Sequence, residues 1–288
     1  MRTPTTCLLV AALALPAIGF ADHFPNIGFA DHLPNIGFAD HLPNIGFADH
    51  LPNIGFADHL PVDHVRLAEP AGTGRLVLPH GTGAPVPLVV LMPDAHGEEG
   101  RSEPYVAALA ARGIATLVFG LDGDPDVPQP ARDLATAPGV VAVVQAWAMG
   151  QAPMIAQGRI GVLGFGAGAR GALAAPEAGP TVALYPGCAG LDLPEWRPVL
   201  LLHGDRAPDA AVCAAMAEPP VAAIIALRGA GHAWDSRPGP WGQGDLLPAP
   251  DGQGRLRAMP DGRVTAQAAM QVAGWFAMQF APSQVPRR

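Results

Sequence analysis

Short apolar runs alternate with longer amphipathic segments along the chain after about residue 62. The runs are bounded by Gly or Pro, which is typical of buried parallel strands, and the segments between them favour helices. This alternation predicts an α/β fold, a mostly parallel sheet with helices on both faces, whose ligands bind at the carboxyl ends of the strands. The predicted strands are Pro87–Met92, Ile114–Phe119, Arg159–Gly164, Thr181–Tyr185, Pro198–His203 and Val221–Leu227. The predicted helices are Ser102–Arg112, Ala131–Met149 (interrupted by Pro138-Gly139), Ala167–Ala175, Asp209–Ala217 and Val264–Phe280.

The first 21 residues have the pattern of a signal peptide. Arg2 precedes an apolar stretch from Cys7 to Phe20, and small residues lead to a cleavage site after Ala21. A membrane anchor is the weaker alternative, since the stretch is short and contains Pro16. We therefore expect a periplasmic or secreted protein.

Residues 19–61 consist of four nine-residue repeats of Gly-Phe-Ala-Asp-His-Leu-Pro-Asn-Ile and a partial copy at Gly55–Pro61, with Phe24 as the single departure. A proline in every unit and the absence of a defined ligand geometry favour a flexible spacer. Weak metal binding is the alternative, because imidazole and carboxylate groups are ligands for zinc, copper or nickel. The histidines concerned are His23, His32, His41, His50 and His59.

Composition restricts the partners of the remaining domain, residues 62–288. With 288 residues, of which 49% are apolar, the chain has ample material for one large core. Charged residues make up 15%, and the formal net charge is -8. This balance argues against nucleic acid and, after signal cleavage, against a membrane as partner.

Two of the three cysteines remain after signal cleavage. Cys188 and Cys213 would then lie in an oxidising compartment, where an even pair predicts a disulfide. Two buried free thiols are the alternative.

Polar and glycine-rich segments follow the predicted strands. Arg159–Gly168 reads as a strand running into a Gly-x-Gly-x-Gly turn, and a nucleophile elbow is written Gly-x-Ser-x-Gly. Gly166 therefore stands at the position of the nucleophile. The segments, in chain order, are Pro93–Gly97, Gly164–Gly168, His203–Asp205 and Gly229–Asp235.

That order is the order of oxyanion loop, nucleophile, acid and histidine in α/β-hydrolases. Over residues 62–280 the chain resembles the dienelactone hydrolase family. Arg159–Gly168 is similar to the strand and elbow of that family, Leu184–Cys188 to its Tyr-Pro-Gly-Cys segment, and Gly229–Asp235 to its histidine turn. The resemblance implies the α/β-hydrolase fold and the hydrolysis of small carboxylic esters or lactones, without metal or organic cofactor.

The resemblance also implies site residues. His232 matches the catalytic base, and the oxyanion loop matches Asp94, His96 and Gly97, with Ala167 after the nucleophile position. Ala207 stands about where the family has its acid, so Asp205 is the predicted acid and Asp209 the alternative.

Glycine at position 166 leaves three functions open. Covalent hydrolysis would need another nucleophile, for which Cys188 and Ser236 are the candidates. Without one, the domain is expected to be a ligand-binding pseudo-hydrolase. A third alternative is a dinucleotide-binding oxidoreductase, because Gly166–Gly171 satisfies Gly-x-Gly-x-x-Gly between a strand and a helix.

Overall fold

The computed structural model describes residues 60–281 except 70, 82, 96, 98–99, 120–136, 152, 217–219 and 239–243. In this part of the chain an eight-stranded sheet has the order β1-β2-β4-β3-β5-β6-β7-β8. β1 and β2 pair antiparallel with their neighbours, and β3 to β8 are parallel. The strands are β1 Val62–Arg66, β2 Thr73–Val77, β3 Val86–Met92, β4 Ala115–Phe119, β5 Ile155–Phe165, β6 Thr181–Leu184, β7 Val199–Gly204 and β8 Ala222–Leu227, with a separate hairpin of β9 Leu246–Pro248 and β10 Arg255–Arg257.

Five helices connect or follow the parallel strands in the described residues: α1 Glu103–Ala110, α2 Ala137–Gly150, α3 Ala167–Ala174, α4 Ala210–Ala214 and α5 Gly262–Gln279. Within the described residues each predicted strand and helix is confirmed, with ends that differ by a few residues. Residues 131–136 of the predicted helix Ala131–Met149 lie outside the described residues. Pro138 lies in the first turn of α2, where proline is tolerated because its missing N–H has no helical partner. The side chain of Asp261 begins α5 by accepting hydrogen bonds from two backbone amides of the first turn.

Alternate residues of the central strand β3 face opposite layers. Val89 and Leu91 pack with helices α1 and α5, whereas Leu88, Val90 and Met92 pack with helix α2. These β3 residues are at most 1% exposed. Burial on both faces explains why the parallel strands read as continuous apolar runs.

The antiparallel strands β1 and β2 are absent from the sequence prediction. β1 carries Asp63, His64 and Arg66, lies at the edge of the sheet and is largely exposed. β2 contains Gly74 and Arg75. Neither strand therefore has the uninterrupted apolar pattern on which the prediction depended.

Several predictions lie outside the described residues: the signal peptide at residues 1–21, the repeats up to His59 with their candidate metal-binding histidines, and His96. Among the helices that the structure describes, none has both the length and the apolar character needed to cross a bilayer.

Candidate functional site

Gly166 forms the turn between the carboxyl end of β5 and the first residue of α3. Its backbone has φ +49° and ψ -114°, a conformation that residues with a side chain rarely adopt. The flanking glycines allow the helix to approach the sheet. A Cβ on Gly164 would lie 2.3 Å from Ala169 Cα, and one on Gly168 would lie 2.2 Å from Pro93 O. The Gly-x-Gly-x-Gly motif is thus a sharp strand-to-helix turn, as the sequence predicts.

The carboxylate of Asp94 fills the space in which a side chain at position 166 would begin. An ideal Cβ on Gly166 would lie 2.4 Å from Asp94 Oδ1 and 2.7 Å from Oδ2. Oδ1 accepts hydrogen bonds from the backbone amides of Ala95, at 2.7 Å, and Ala167, at 3.1 Å. The resemblance to hydrolases predicts the two donors of an oxyanion hole at these places, one in the loop after β3 and one after the nucleophile position. A carboxylate of the protein itself thus occupies the predicted hole.

Arg101 neutralises this carboxylate inside the protein. Its Nη1 lies 3.3 Å from Asp94 Oδ2, and the two side chains are 1% and 0% exposed. Burial disfavours the charged form of the guanidinium, but Tyr185, Asp235 and Asp94 raise its pKa above the usual value. Arg101 therefore stays a cation, and the pair carries no net charge.

His232 lies 3% exposed beside Tyr185, with the two rings edge to face and their centroids 5.2 Å apart. Burial lowers the pKa of the imidazole, and the charges of Asp94 and Asp209 oppose this shift. Nε2 is buried without a hydrogen-bond partner in the described part of the chain. At neutral pH the site thus holds a neutral imidazole with an unused ring nitrogen.

Asp235 lies below the site in a buried hydrogen-bonded network. Tyr105 Oη donates to its Oδ2 at 2.9 Å, and Tyr185 Oη donates to its Oδ1 at 2.6 Å. Trp234 Nε1 in turn donates to Tyr105 Oη at 3.1 Å. Burial raises the pKa of the Asp235 carboxyl, and Arg101 and both hydroxyls oppose the rise. The network holds the loop that carries His232 against the helix that follows Arg101.

The backbone around His232 is held in place by the segment before α5. The carbonyl of His232 accepts from Met259 N at 2.8 Å, and that of Trp234 accepts from Asp261 N at 2.8 Å. Two residues of the site have positive φ although they are not glycine, Tyr185 at 39° and Ala233 at 48°. Such conformations cost about 1–3 kcal/mol and persist only where the surroundings enforce them. The position of the imidazole is therefore fixed by tertiary contacts.

The structure distinguishes the two candidate acids. Asp205 is exposed, and its Oδ1 accepts from Gly229 N at 2.7 Å in the turn after β8. Asp209 precedes α4 and accepts from Cys188 N at 2.8 Å. Of these two carboxylates, only the charge of Asp209 acts on the pKa of His232. The assignment of Asp205 as acid remains a prediction.

The two alternative nucleophiles are otherwise engaged. Cys188 is joined to Cys213 in the predicted disulfide, so it has no free thiol. The hydroxyl of Ser236 donates to Ala233 O at 2.8 Å, within its own turn. Neither side chain is presented as an attacking group.

The hydrogen bond of the Ala167 amide argues against the alternative of a dinucleotide-binding oxidoreductase. In dinucleotide-binding folds the glycine-rich turn offers helix N-terminal amides to a pyrophosphate. Here the amide of Ala167, at the N-terminus of α3, donates to Asp94. The chain's own carboxylate thus occupies the place of an anionic ligand.

Sequence reasoning placed Asp94, Gly97 and Ala167 in one loop region, and the structure brings Asp94 and Ala167 into direct contact. Gly97 closes a turn by donating its amide to Asp94 O at 2.8 Å. Arg101 was missed. Its signal was an arginine two residues before an apolar helix in a chain with few charges.

The fold agrees with those of solved hydrolases. A dienelactone hydrolase-like promiscuous phosphotriesterase from metagenomic libraries matches 76% of this chain and 98% of its own length, with a TM-score of 0.55 and 18% identity. An esterase from Pyrobaculum calidifontis matches 78% of this chain and 87% of its own, with a TM-score of 0.55 and 14% identity. No family model and no curated protein matches the sequence. The strand order, the turn at Gly166 and these similarities establish that the chain has the α/β-hydrolase fold.

Proposed function

We propose that this protein hydrolyses small organic substrates with the side chains of Asp94 and His232, while residue 166 takes no chemical part. The observation that carries the proposal is the position of Asp94, whose Oδ1 lies 2.4 Å from the point where a Cβ of residue 166 would be. Carboxylic esters and lactones are the substrates that the resemblance to dienelactone hydrolases implies. The carboxylate replaces the missing side chain from a neighbouring loop.

An acyl-enzyme on residue 166 has no support. Gly166 offers no side-chain atom, and the amides of Ala95 and Ala167 already bind Asp94. An oxyanion hole and substrate binding without a nucleophile give about 10³ to 10⁴-fold acceleration over water. Efficient turnover therefore needs another group in the site.

His232 has the properties of a general base. Burial lowers the pKa of its imidazole, so the ring is neutral at neutral pH, and Nε2 has no partner in the described residues. A positioned base with these properties accelerates proton transfer by about 10² to 10⁴-fold. In our proposal His232 removes a proton from the attacking water.

We also propose that the protein works in the periplasm or after secretion. The predicted signal peptide and the disulfide between Cys188 and Cys213 support this location, because disulfides persist in oxidising compartments.

The test compares the purified wild type with Asp94→Asn and His232→Gln on aryl esters, a lactone and a primary alkyl halide. Each variant is expected to lower turnover of an accepted substrate by roughly 100-fold or more. Asp251→Asn is the matched control, because Asp251 lies in the turn between β9 and β10 and accepts from Gln253 N. Turnover that survives both site variants would contradict the proposal.

A ligand-binding pseudo-hydrolase is the second candidate. The observations that favour it are Gly166, which offers no side-chain nucleophile, and the thiol of Cys188, which is bound in the disulfide. Saturable binding of a small ester or lactone by the wild type, without turnover of any substrate in the panel, would establish it.

A further inference from the structure

We infer that Asp94 is a covalent nucleophile that attacks a saturated carbon, and that the substrates are primary alkyl halides. This inference rests on the proposed function and deepens it by naming the attacking atom and the substrate class. It follows from the unequal surroundings of the two oxygen atoms of one carboxylate.

The two oxygens of Asp94 have different partners. Oδ1 is held by the amides of Ala95 and Ala167 at 2.7 and 3.1 Å. Within the described residues, Oδ2 accepts from Arg101 Nη1, at the longer distance of 3.3 Å. Oδ2 also lies 2.7 Å from the ideal Cβ position of Gly166. Oδ1 is closer still to that position, at 2.4 Å, so both oxygens lie where a side chain on residue 166 would begin. Oδ2 differs because it binds neither of the two backbone amides, and it is therefore the oxygen that can attack.

The occupied oxyanion hole decides which carbon is attacked. Attack on an ester carbonyl creates a negative charge on a substrate oxygen, which needs free backbone donors. Here the amides of Ala95 and Ala167 bind Asp94 itself. Displacement at a saturated carbon creates no such oxyanion, so the amides can remain on Oδ1 throughout the first step.

The same amides suit the second step. Water that attacks Cγ of an Asp94 ester places the developing negative charge on Oδ1, where Ala95 and Ala167 already donate. His232, neutral and with an unused Nε2 in the described part of the chain, accepts the proton of that water. The site thus contains both an oxyanion hole and a base for an ester formed on its own aspartate.

A halide fits as the leaving group because it departs without a proton. The tyrosine hydroxyls nearest to the site are not available as acids, since Tyr105 and Tyr185 both donate to Asp235. Burial and the charge of Asp235 also raise the pKa values of both phenols. Leaving groups that must be protonated as they depart are therefore disfavoured.

The reaction balances in two steps. Oδ2 of Asp94 forms a bond to the carbon of the alkyl halide, the carbon–halogen bond breaks, and the halide leaves with the bonding electrons. Water then adds to Cγ while His232 takes its proton. The C–O bond between Cγ and the alkoxy oxygen breaks, the alkoxide takes the proton from His232, and Asp94 regains its carboxylate. The net products are an alcohol, a halide ion and one proton.

Trapping of the intermediate tests the inference. Purified His232→Gln is incubated with 1-bromobutane, because loss of the base is expected to stop the second step. Intact mass is expected to rise by one butyl group in place of a proton, and peptide mapping to place the group on Asp94. The double variant Asp94→Asn/His232→Gln is the control, and its intact mass is expected to stay unchanged. Thermal unfolding of both variants verifies that they are folded.

Isotope labelling of the wild type provides the second measurement. In a single turnover in ¹⁸O-water, the inference predicts butanol with unlabelled oxygen and ¹⁸O in the carboxylate of Asp94. Label that enters butanol directly, with no adduct on the variant, would overturn the covalent role. Asp94-dependent hydrolysis of esters without bromide release would overturn the substrate class but keep the proposed function. If no substrate is hydrolysed in an Asp94-dependent way, both this inference and the proposed function are wrong.

Discussion

Arg101 and Asp94 form an ion pair in the interior, with Nη1 and Oδ2 3.3 Å apart and at most 1% of either side chain exposed. The pair joins Arg101, two residues before α1, to the loop after β3. It also fixes the carboxylate that lies against Gly166. Its position makes it both a structural element and part of the candidate site.

Removal of the Arg101 guanidinium alone is expected to destabilise the protein. Arg101→Met leaves the buried charge of Asp94 without its partner, and we expect a loss of about 3–5 kcal/mol in the free energy of unfolding. Urea denaturation measures it. The double variant Arg101→Met/Asp94→Asn is expected to regain a large part of the loss, since no buried charge is left unpaired at this pair. Additive losses in the two single variants would show that the side chains do not interact.

Restoring a nucleophile at position 166 is expected to fail by itself. The Cβ of Gly166→Ser would lie 2.4 Å from Asp94 Oδ1, and its backbone conformation costs a non-glycine residue about 1–3 kcal/mol. We therefore expect a destabilised protein without aryl esterase activity.

The double variant Gly166→Ser/Asp94→Ala removes that collision and frees the amides of Ala95 and Ala167. It is expected to gain serine-dependent hydrolysis of aryl esters over Gly166→Ser alone. A Gly166→Ser single variant that is already active would show that Asp94 moves aside readily. Loss of the gained activity on adding His232→Gln would identify the imidazole as the base.

The stability of the protein is expected to depend on pH through His232. Its pKa is lowered in the folded state, whereas an unfolded histidine titrates near about 6.5. Below about pH 6.5 the unfolded state therefore binds more protons, and stability falls as the pH decreases toward the folded pKa. His232→Gln should show a smaller fall between about pH 7.5 and 5.5 by urea denaturation. The opposite effect of the raised pKa of Asp235 is common to both proteins, so their difference isolates the imidazole.

The network below the site predicts an effect of the tyrosine hydroxyls. Tyr185→Phe removes a donor at 2.6 Å from the buried carboxylate of Asp235, and we expect a loss of about 1–3 kcal/mol in the free energy of unfolding. Tyr105→Phe is a matched change, with its donor at 2.9 Å from the same carboxylate. Thermal unfolding compares them. If both variants are as stable as the wild type, the proposed contribution of the network to stability is wrong.

The disulfide predicts sensitivity to reductants. Cys188 and Cys213 are 25 residues apart in sequence, and a link of this length contributes about 3 kcal/mol. The variant Cys188→Ser/Cys213→Ser is expected to be less stable by about this amount in urea denaturation. Dithiothreitol should lower the stability of the wild type but not that of the variant. An equal effect on both would show that the reductant acts elsewhere.

Much of the sheet could be predicted from the sequence for one physical reason. Parallel strands covered on both faces, such as β3 and β7, must be apolar throughout, so they stand out as uninterrupted runs bounded by Gly or Pro. Edge strand β1 is exposed and polar, and its pairing with β2 depends on hydrogen bonds between backbones that carry no side-chain pattern.

The sequence by itself determined the α/β fold and the strand-to-helix turn at Gly166, and it predicted the pairing of Cys188 with Cys213 that the structure contains. These features follow from local patterns or from composition. Only the tertiary structure decided that Asp94 fills the space left by the missing side chain and is neutralised by Arg101. Both contacts join segments that meet only when the carboxyl ends of β3 and β5 and the start of α1 come together. Spacing along the chain carries no information on which oxygen atom meets which amide, because those distances are set by packing of the sheet and its helices.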